Sequence, residues 1–422
     1  MSDLAAQVRE LDAADPLRHF RDEFLIPPHA GGEQRYFVGN SLGLQPRAAR
    51  SYVLEVMDKW ANEAVEGHFT GDTAWMEYHR LVREPLARLV GARPDEVVAM
   101  NTLTVNLHLM LASFYRPDAQ RPVVLMEAGA FPSDRHAVES QIRLHGLDPA
   151  ECLVEVEADE PDGTLSDEAV AQAIATHGPR LALVLWPGVQ YRTGQAFDLA
   201  RIAALAHAQG AKCGFDLAHA VGNLPLALHD ADADFAVWCH YKYLNAGPGA
   251  VAGCFVHERH GSAGLPRMAG WWGHEASTRF RMAPEFVPAV GAEGWQLSNP
   301  PVLAMAPLRA SLEQFERAGG MTALRAKSEQ LTGLLERLIH ERLADTLQVV
   351  TPTEPRRRGC QLSLRVAGGR ERGRALFEHL RDRGFLGDWR EPDVIRISPV
   401  PLYNRYADVL ELVEEVDRWR AG

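Results

Sequence analysis

The chain has 422 residues, 46% of them hydrophobic and 24% charged, with a formal net charge of −12, enough for two or three domains with real cores. No apolar run approaches the length of a membrane span, and the first residues, MSDLAAQVRELDAADP, lack the basic-then-apolar pattern of a secretion signal. The only dense basic run is Arg356-Arg357-Arg358, expected as a solvated turn, which argues against nucleic acid and anionic membranes as main partners and leaves a cytoplasmic location as the expectation.

In chain order, residues 1–35 read as a helix and a Pro/Gly-rich connector, followed by the turn-forming GNSLGLQP. Helical spacing covers Ala48 to Ala64 and again Trp75 to Leu89. Pro94 to Met100 leads through Asn101 and Thr102 into a helix, a strand–turn–helix pattern in which Thr104 either caps the helix or, with the free first-turn N–H groups, meets an anion. PVVLME (122–127) and LALVLW (181–186) are short buried strands. Asp198 opens a helix that Gly210 stops, and further strands end at Asp216 and at Lys242, with another over 249–257. Strand and helix alternate from about residue 95 to 257, which predicts a mostly parallel sheet covered on both faces. Leu303 to about Leu343 reads as one long helix, followed by strands at 347–351 and 361–366, a helix at 370–383, a strand at 394–398 and a final helix at 406–419, a small α+β unit.

Five cysteines, Cys152, Cys213, Cys239, Cys254 and Cys360, have no metal-ligand spacing and an odd count, so they read as small hydrophobes in a reducing compartment. No metal site is expected.

The chemistry concentrates between Phe215 and Gly249. Asp216 ends one apolar run and Lys242 follows another. On parallel strands both side chains would emerge at one sheet edge, where open α/β sheets bind ligands. A carboxylate and an amine in one crevice suit pyridoxal phosphate: the amine forms a Schiff base and the carboxylate keeps the pyridine nitrogen protonated. Taken alone, the spacing favours the ordinary reading of a capping aspartate and a solvated lysine. The run Asn245-Ala246-Gly247-Pro248-Gly249 after the lysine lets backbone approach a ligand closely.

FDLAHAVGN with WCHYKYLNAGPG resembles the cofactor-lysine region of kynureninases, in the class V aminotransferase-like group of fold type I pyridoxal-phosphate enzymes. Further blocks agree in order: YFVGNSLGLQP (36–46), NTLTVNLHLML (101–111), FPSDRHAVESQ (131–141), GWWGHEASTRF (270–280), LSNPP (297–301) and IRISPVPLYN (395–404). The resemblance implies a large domain with a mostly parallel, seven-stranded-type sheet plus a small α+β domain. The expected division is 1–75 as a segment on the small domain and active-site mouth, 76–305 as the cofactor domain, and 306–422 as the small domain.

The resemblance also assigns roles. Lys242 would hold the cofactor and move the α-proton, Asp216 would pair with the ring nitrogen, and Tyr241 would transfer a proton and touch the phosphate. Leu103 and Thr104 would contact the phosphate, Phe131 would stack on the ring, and Pro132, Ser133, Asp134 and His219 would complete the polar shell. Trp271 would reach the partner's cofactor phosphate across a homodimer interface. Asn299, His68 and Ser41 would lie near the substrate, and Arg396 would bind its α-carboxylate. Ordinary alternatives stand beside these: core packing for Phe131, a surface histidine at His68, and an exposed arginine at Arg396.

The implied reaction is hydrolysis of kynurenine or 3-hydroxykynurenine to an anthranilate and L-alanine. Asn299 and His68 as hydrogen-bond partners of a ring hydroxyl would favour the hydroxylated substrate slightly. Pro187 departs from the family, whose members commonly carry a hydroxyl residue there. The rivals on the same scaffold are an aminotransferase and a cysteine desulfurase, the latter needing a reactive thiol such as Cys360.

Overall fold

Runs of side chains that are mostly apolar on both faces make a sheet that must be covered twice. In the computed structural model, which describes residues 2–262 and 264–422, seven such runs form one sheet: β1 (Val97–Met100), β2 (Val123–Glu127), β3 (Leu153–Val156), β4 (Leu181–Pro187), β5 (Lys212–Asp216), β6 (Phe235–Cys239) and β7 (Ala252–Val256). Their spatial order is β1-β7-β6-β5-β4-β2-β3. β7 runs antiparallel to both β1 and β6, and the other pairs are parallel. The period of two sorts the strands between two cores. Val98, Met100, Val124, Met126 and Leu185 face α1 (Leu103–Phe114) and α2 (Pro132–Leu144). Val97, Leu125, Trp186, Phe215 and Trp238 face the opposite core.

β8 (Leu347–Val349), β9 (Leu362–Val366), β10 (Asp388–Arg390) and β11 (Val394–Ile397) form a second, antiparallel sheet in the order β8-β9-β11-β10. Helices at Arg370–Asp382 and Tyr406–Ala421 cover it around Leu335, Leu364, Leu376, Ile395 and Val413. The N-terminal segment joins this unit: Arg35–Tyr36 pairs in parallel with Phe385–Leu386, and the Tyr406 N–H donates to Asp12 at 2.8 Å.

Several boundaries differ from expectation for local reasons. The long helix is two, Val302–Arg317 and Gly320–Arg342, because Gly319 turns left-handed at φ +85°. The first packs on the large core through Met305, Leu308 and Leu312. Trp75–Leu81 is a 3₁₀ segment, with an α-helix only over Arg83–Val90. The short strands β3 and β10 carry little periodic signal, whereas the helix Asp167–His177, absent from the expectations above, is marked by its Ser166 N-cap, acidic first turn and Gly178 stop. The basic triplet is not wholly solvated: Arg358 is buried and pairs with Glu336 at 2.8 Å.

Candidate active site

The parallel strands end together, which brings residues far apart in sequence to one edge. Asp216 closes β5 and lies in register with Pro187, the last residue of β4. Glu127 closes β2, and the lysine turn follows β6. A cavity of about 290 Å³ opens there, lined by Ser41, Leu103, Thr104, Phe131, Ser133, Asp134, Asp216, His219, Tyr241, Lys242 and Arg396 among others. The expected aspartate and lysine therefore share one crevice.

Lys242 Nζ lies 2.9 Å from His219 Nε2. Burial, then the Lys242 charge, holds the His219 imidazole well below its usual range, so it is neutral. The Ala218 N–H donates to Asp216 Oδ1 at 2.7 Å. The Asp134 carboxyl, in the first turn of α2, is a buried hydrogen-bond neighbour of Asp216. Burial first, and then the Asp216 charge, pushes Asp134 far above the usual carboxyl range; burial raises Asp216 as well. Two carboxyls this close hold a proton between them or take a cation.

Thr102, not Thr104, sits at the N-cap position of α1, and the Thr104 hydroxyl is 2.8 Å from Ser133 Oγ. These two hydroxyls and the open first turn of α1 form a polar corner suited to a phosphate. Phe131 is 48% exposed at the cavity and stands perpendicular to Tyr191, at a centroid distance of 5.4 Å, which leaves ring surface available for stacking. Pro132 starts α2 beside it without lining the cavity. The Lys242 turn is held close: a Cβ on Gly43 would lie 2.4 Å from the Lys242 carbonyl oxygen. Burial holds the Tyr241 phenol well above its usual range, so it stays a donor.

Arg396 is wholly buried rather than exposed, ion-paired with Asp388 and donating to the Tyr191 carbonyl at 2.7 Å. With its amide oxygen turned towards the guanidinium, Asn40 accepts from Arg396 Nε at 3.1 Å. Asn40, Glu127, Tyr191 and Arg390 also line the cavity and were not singled out from sequence. Glu127 alone carried a usable signal, an acid ending a buried strand. Burial pushes it up to about 8.

Trp271, His68 and Asn299 do not line this cavity in one chain. His68 and Asn299 share a second cavity of about 400 Å³ with Trp60, Trp75 and Leu303. Trp271 is 41% exposed and packs on Trp272 and Phe280. Cys360 is buried, with its thiol pushed up to about 12 by burial, and lies outside the Lys242 cavity.

The residues fit pyridoxal phosphate: an amine, a carboxyl pair calling for a cation, an open aromatic face, a hydroxyl corner, and the buried Asp134 Oδ1 and His219 Nδ1 without partners. Fold and site together define a fold type I pyridoxal-phosphate-dependent enzyme. Two solved structures share the fold: a cysteine desulfurase from Escherichia coli, at TM-score 0.77 and 19% identity over 96% of this chain and 98% of that one, and a cystine C–S lyase in complex with cysteine persulfide, at TM-score 0.76 and 19% identity over 91% and 97%. Residues 324–416 match the model of the kynureninase C-terminal domain. Kynureninases of Xanthomonas euvesicatoria pv. vesicatoria and Stenotrophomonas maltophilia are 73% and 72% identical to this chain, over 100% and 99% of both chains respectively. The chain belongs to the kynureninase family.

Proposed function

We propose that this chain hydrolyses L-kynurenine, 3-hydroxy-L-kynurenine or both, giving anthranilate or 3-hydroxyanthranilate and L-alanine, with pyridoxal 5′-phosphate as cofactor. The observation that carries this reading is the meeting of Lys242, Asp216 and Arg396 in one cavity of a chain similar over its whole length to kynureninases. The cofactor supplies an aldehyde that condenses with amines and a ring that accepts electrons.

The protein supplies the rest. Lys242 anchors the cofactor and then carries the substrate's α-proton, with neutral His219 beside it at 2.9 Å as the partner for its amine. Asp216, backed by Asp134, holds the ring nitrogen. Leu103, Thr104 and Ser133 receive the phosphate at the start of α1, and Phe131 stacks on the ring. Tyr241, a phenol that keeps its proton, donates near the hydrated γ-carbonyl. Arg396 and Ser41 take the α-carboxylate.

Trp271, Asn299 and His68 complete the site from a second copy in a homodimer. Large apolar side chains are exposed in both places: Trp60 and Leu303 beside the cavity of His68 and Asn299, and Met282 beside Trp271. They support this, because exposed apolar surface rimming a cavity marks interfaces. The chain divides into 1–75, 76–305 and 306–422, with the helix Val302–Arg317 spanning the last boundary and packing on the large core and the cavity lined from all three parts, and it works in the cytoplasm. No helix among the described residues is long and apolar enough to cross a membrane.

Incubation with L-kynurenine should produce fluorescent anthranilate and stoichiometric L-alanine. Lys242→Ala should abolish both, together with the visible absorbance of the bound cofactor. Undiminished turnover by Lys242→Ala would refute the assignment. Comparing kcat/KM for the two substrates settles the ring preference.

A further inference from the structure

Arg396 faces the cavity with its charge already matched. It pairs with Asp388 directly across the β10–β11 register and donates to the Tyr191 carbonyl. A carboxylate approaching an Arg396–Asp388 pair alone would meet a neutral couple, and binding would leave two anions on one guanidinium. A second guanidinium changes this balance. Arg390 stands two residues from Asp388 on the same face of β10, donates to the same Asp388 oxygen at 3.1 Å, and lines the same cavity. Its Nε is buried without a partner. Arg390, Asp388 and Arg396 together carry one net positive charge, matched to one carboxylate. Both guanidiniums also lie near enough to His219 to help disfavour its protonated form.

We propose that Arg390 is a substrate-positioning residue: it neutralises Asp388 so that Arg396 presents an uncompensated, preoriented guanidinium to the substrate's α-carboxylate. This rests on the reading of Arg396 as the carboxylate site and deepens it. Asp388 serves as the hinge of the pair, anchoring both arginines through one oxygen and fixing the planar fork of Arg396 against the Tyr191 carbonyl.

The test compares carboxylate with carboxamide ligands in the cofactor-loaded enzyme. In Arg390→Met, KM for L-kynurenine should rise on the order of 10-fold, equivalent to one partly screened charge contact, with a smaller change in kcat. KM for L-kynurenine amide should hardly move, and Arg390→Lys should recover most of the loss. Binding of L-alanine against L-alaninamide, followed by the visible absorbance of the cofactor, should show the same selectivity. That measurement stands even if kynurenine is not the substrate, so it separates failure of this inference from failure of the functional reading. Cofactor content and thermal melting show whether Arg390→Met is folded; if it is not, Arg390→Gln and Arg390→Lys carry the comparison. Equal losses for carboxylate and carboxamide ligands, or no loss for either, would overturn the inference.

Discussion

Glu127 shows what burial does to a single group. It sits at the end of β2 with no cation among the groups that set its protonation, only Gln190, and burial raises it from 4.5 to about 8. Below pH 4.5 the folded and unfolded chains both hold this proton. Between 4.5 and about 8 only the folded chain does, so stability falls as pH rises through that window, and the full penalty of several kcal/mol is present above it. Glu127→Gln should therefore melt higher than the parent apoprotein at pH 8.5 and about equally at pH 4.5. A melting-temperature difference that does not grow with pH would show that Glu127 is ionised in the folded chain. At this scale Asp216 and Lys242 were legible because Asp216 ends a recognisable strand and Lys242 stands in the turn three residues past the end of another. Glu127 also ends a strand and carried that signal, but its raised protonation was not legible, because burial by neighbouring elements sets it; Arg390 was not legible at all, because its role comes from the Asp388–Arg396 pairing across two strands.

At the scale of elements, turns position the chemistry. Gly43 lies against the Lys242 turn, where a Cβ would meet Asn245 Oδ1 at 2.2 Å as well as the Lys242 carbonyl. Gly43→Ala should displace the lysine, cost on the order of 2 kcal/mol of stability, and lower kcat more than KM. Denaturant unfolding with steady-state kinetics checks both. Pro187, at the end of β4, has no N–H and no hydroxyl to offer the cavity it lines. Pro187→Ser should add a donor there and slow cofactor loss, by about 3- to 10-fold for one hydrogen bond, measured as the rate of absorbance decay on dilution. The alternating βα pattern was readable because its period of two and its stop signals are local. The break at Gly319 was legible in the Gly319-Gly320 pair, which marks a turn, but the apolar spacing continues on both sides of it; the short strand β10 was missed because three half-buried residues carry little periodic signal.

At the scale of the whole molecule, Lys242 lies in one cavity and His68 and Asn299 in another. A two-chain site makes a specific demand. Lys242→Ala and Trp271→Ala homodimers should each be nearly inactive, whereas mixing them under exchange should restore up to about a quarter of parent activity, because half the hybrid's sites are intact. No recovery in exchanging mixtures would mean that each chain works alone. Light scattering of the parent protein should give twice the 46.7 kDa chain mass.

By itself the amino-acid order determined the layered α/β plan, the strand ends that carry Asp216 and Lys242, and the family likeness, because hydrophobic period, glycine stops and short motifs are written locally. Only the tertiary structure decided that Asp134 and Asp216 share a buried polar pocket, that Glu127 keeps its proton, and that Arg390 and Arg396 compete for one carboxylate. Those properties depend on desolvation and on distances between separate strands and helices, and no local pattern encodes either.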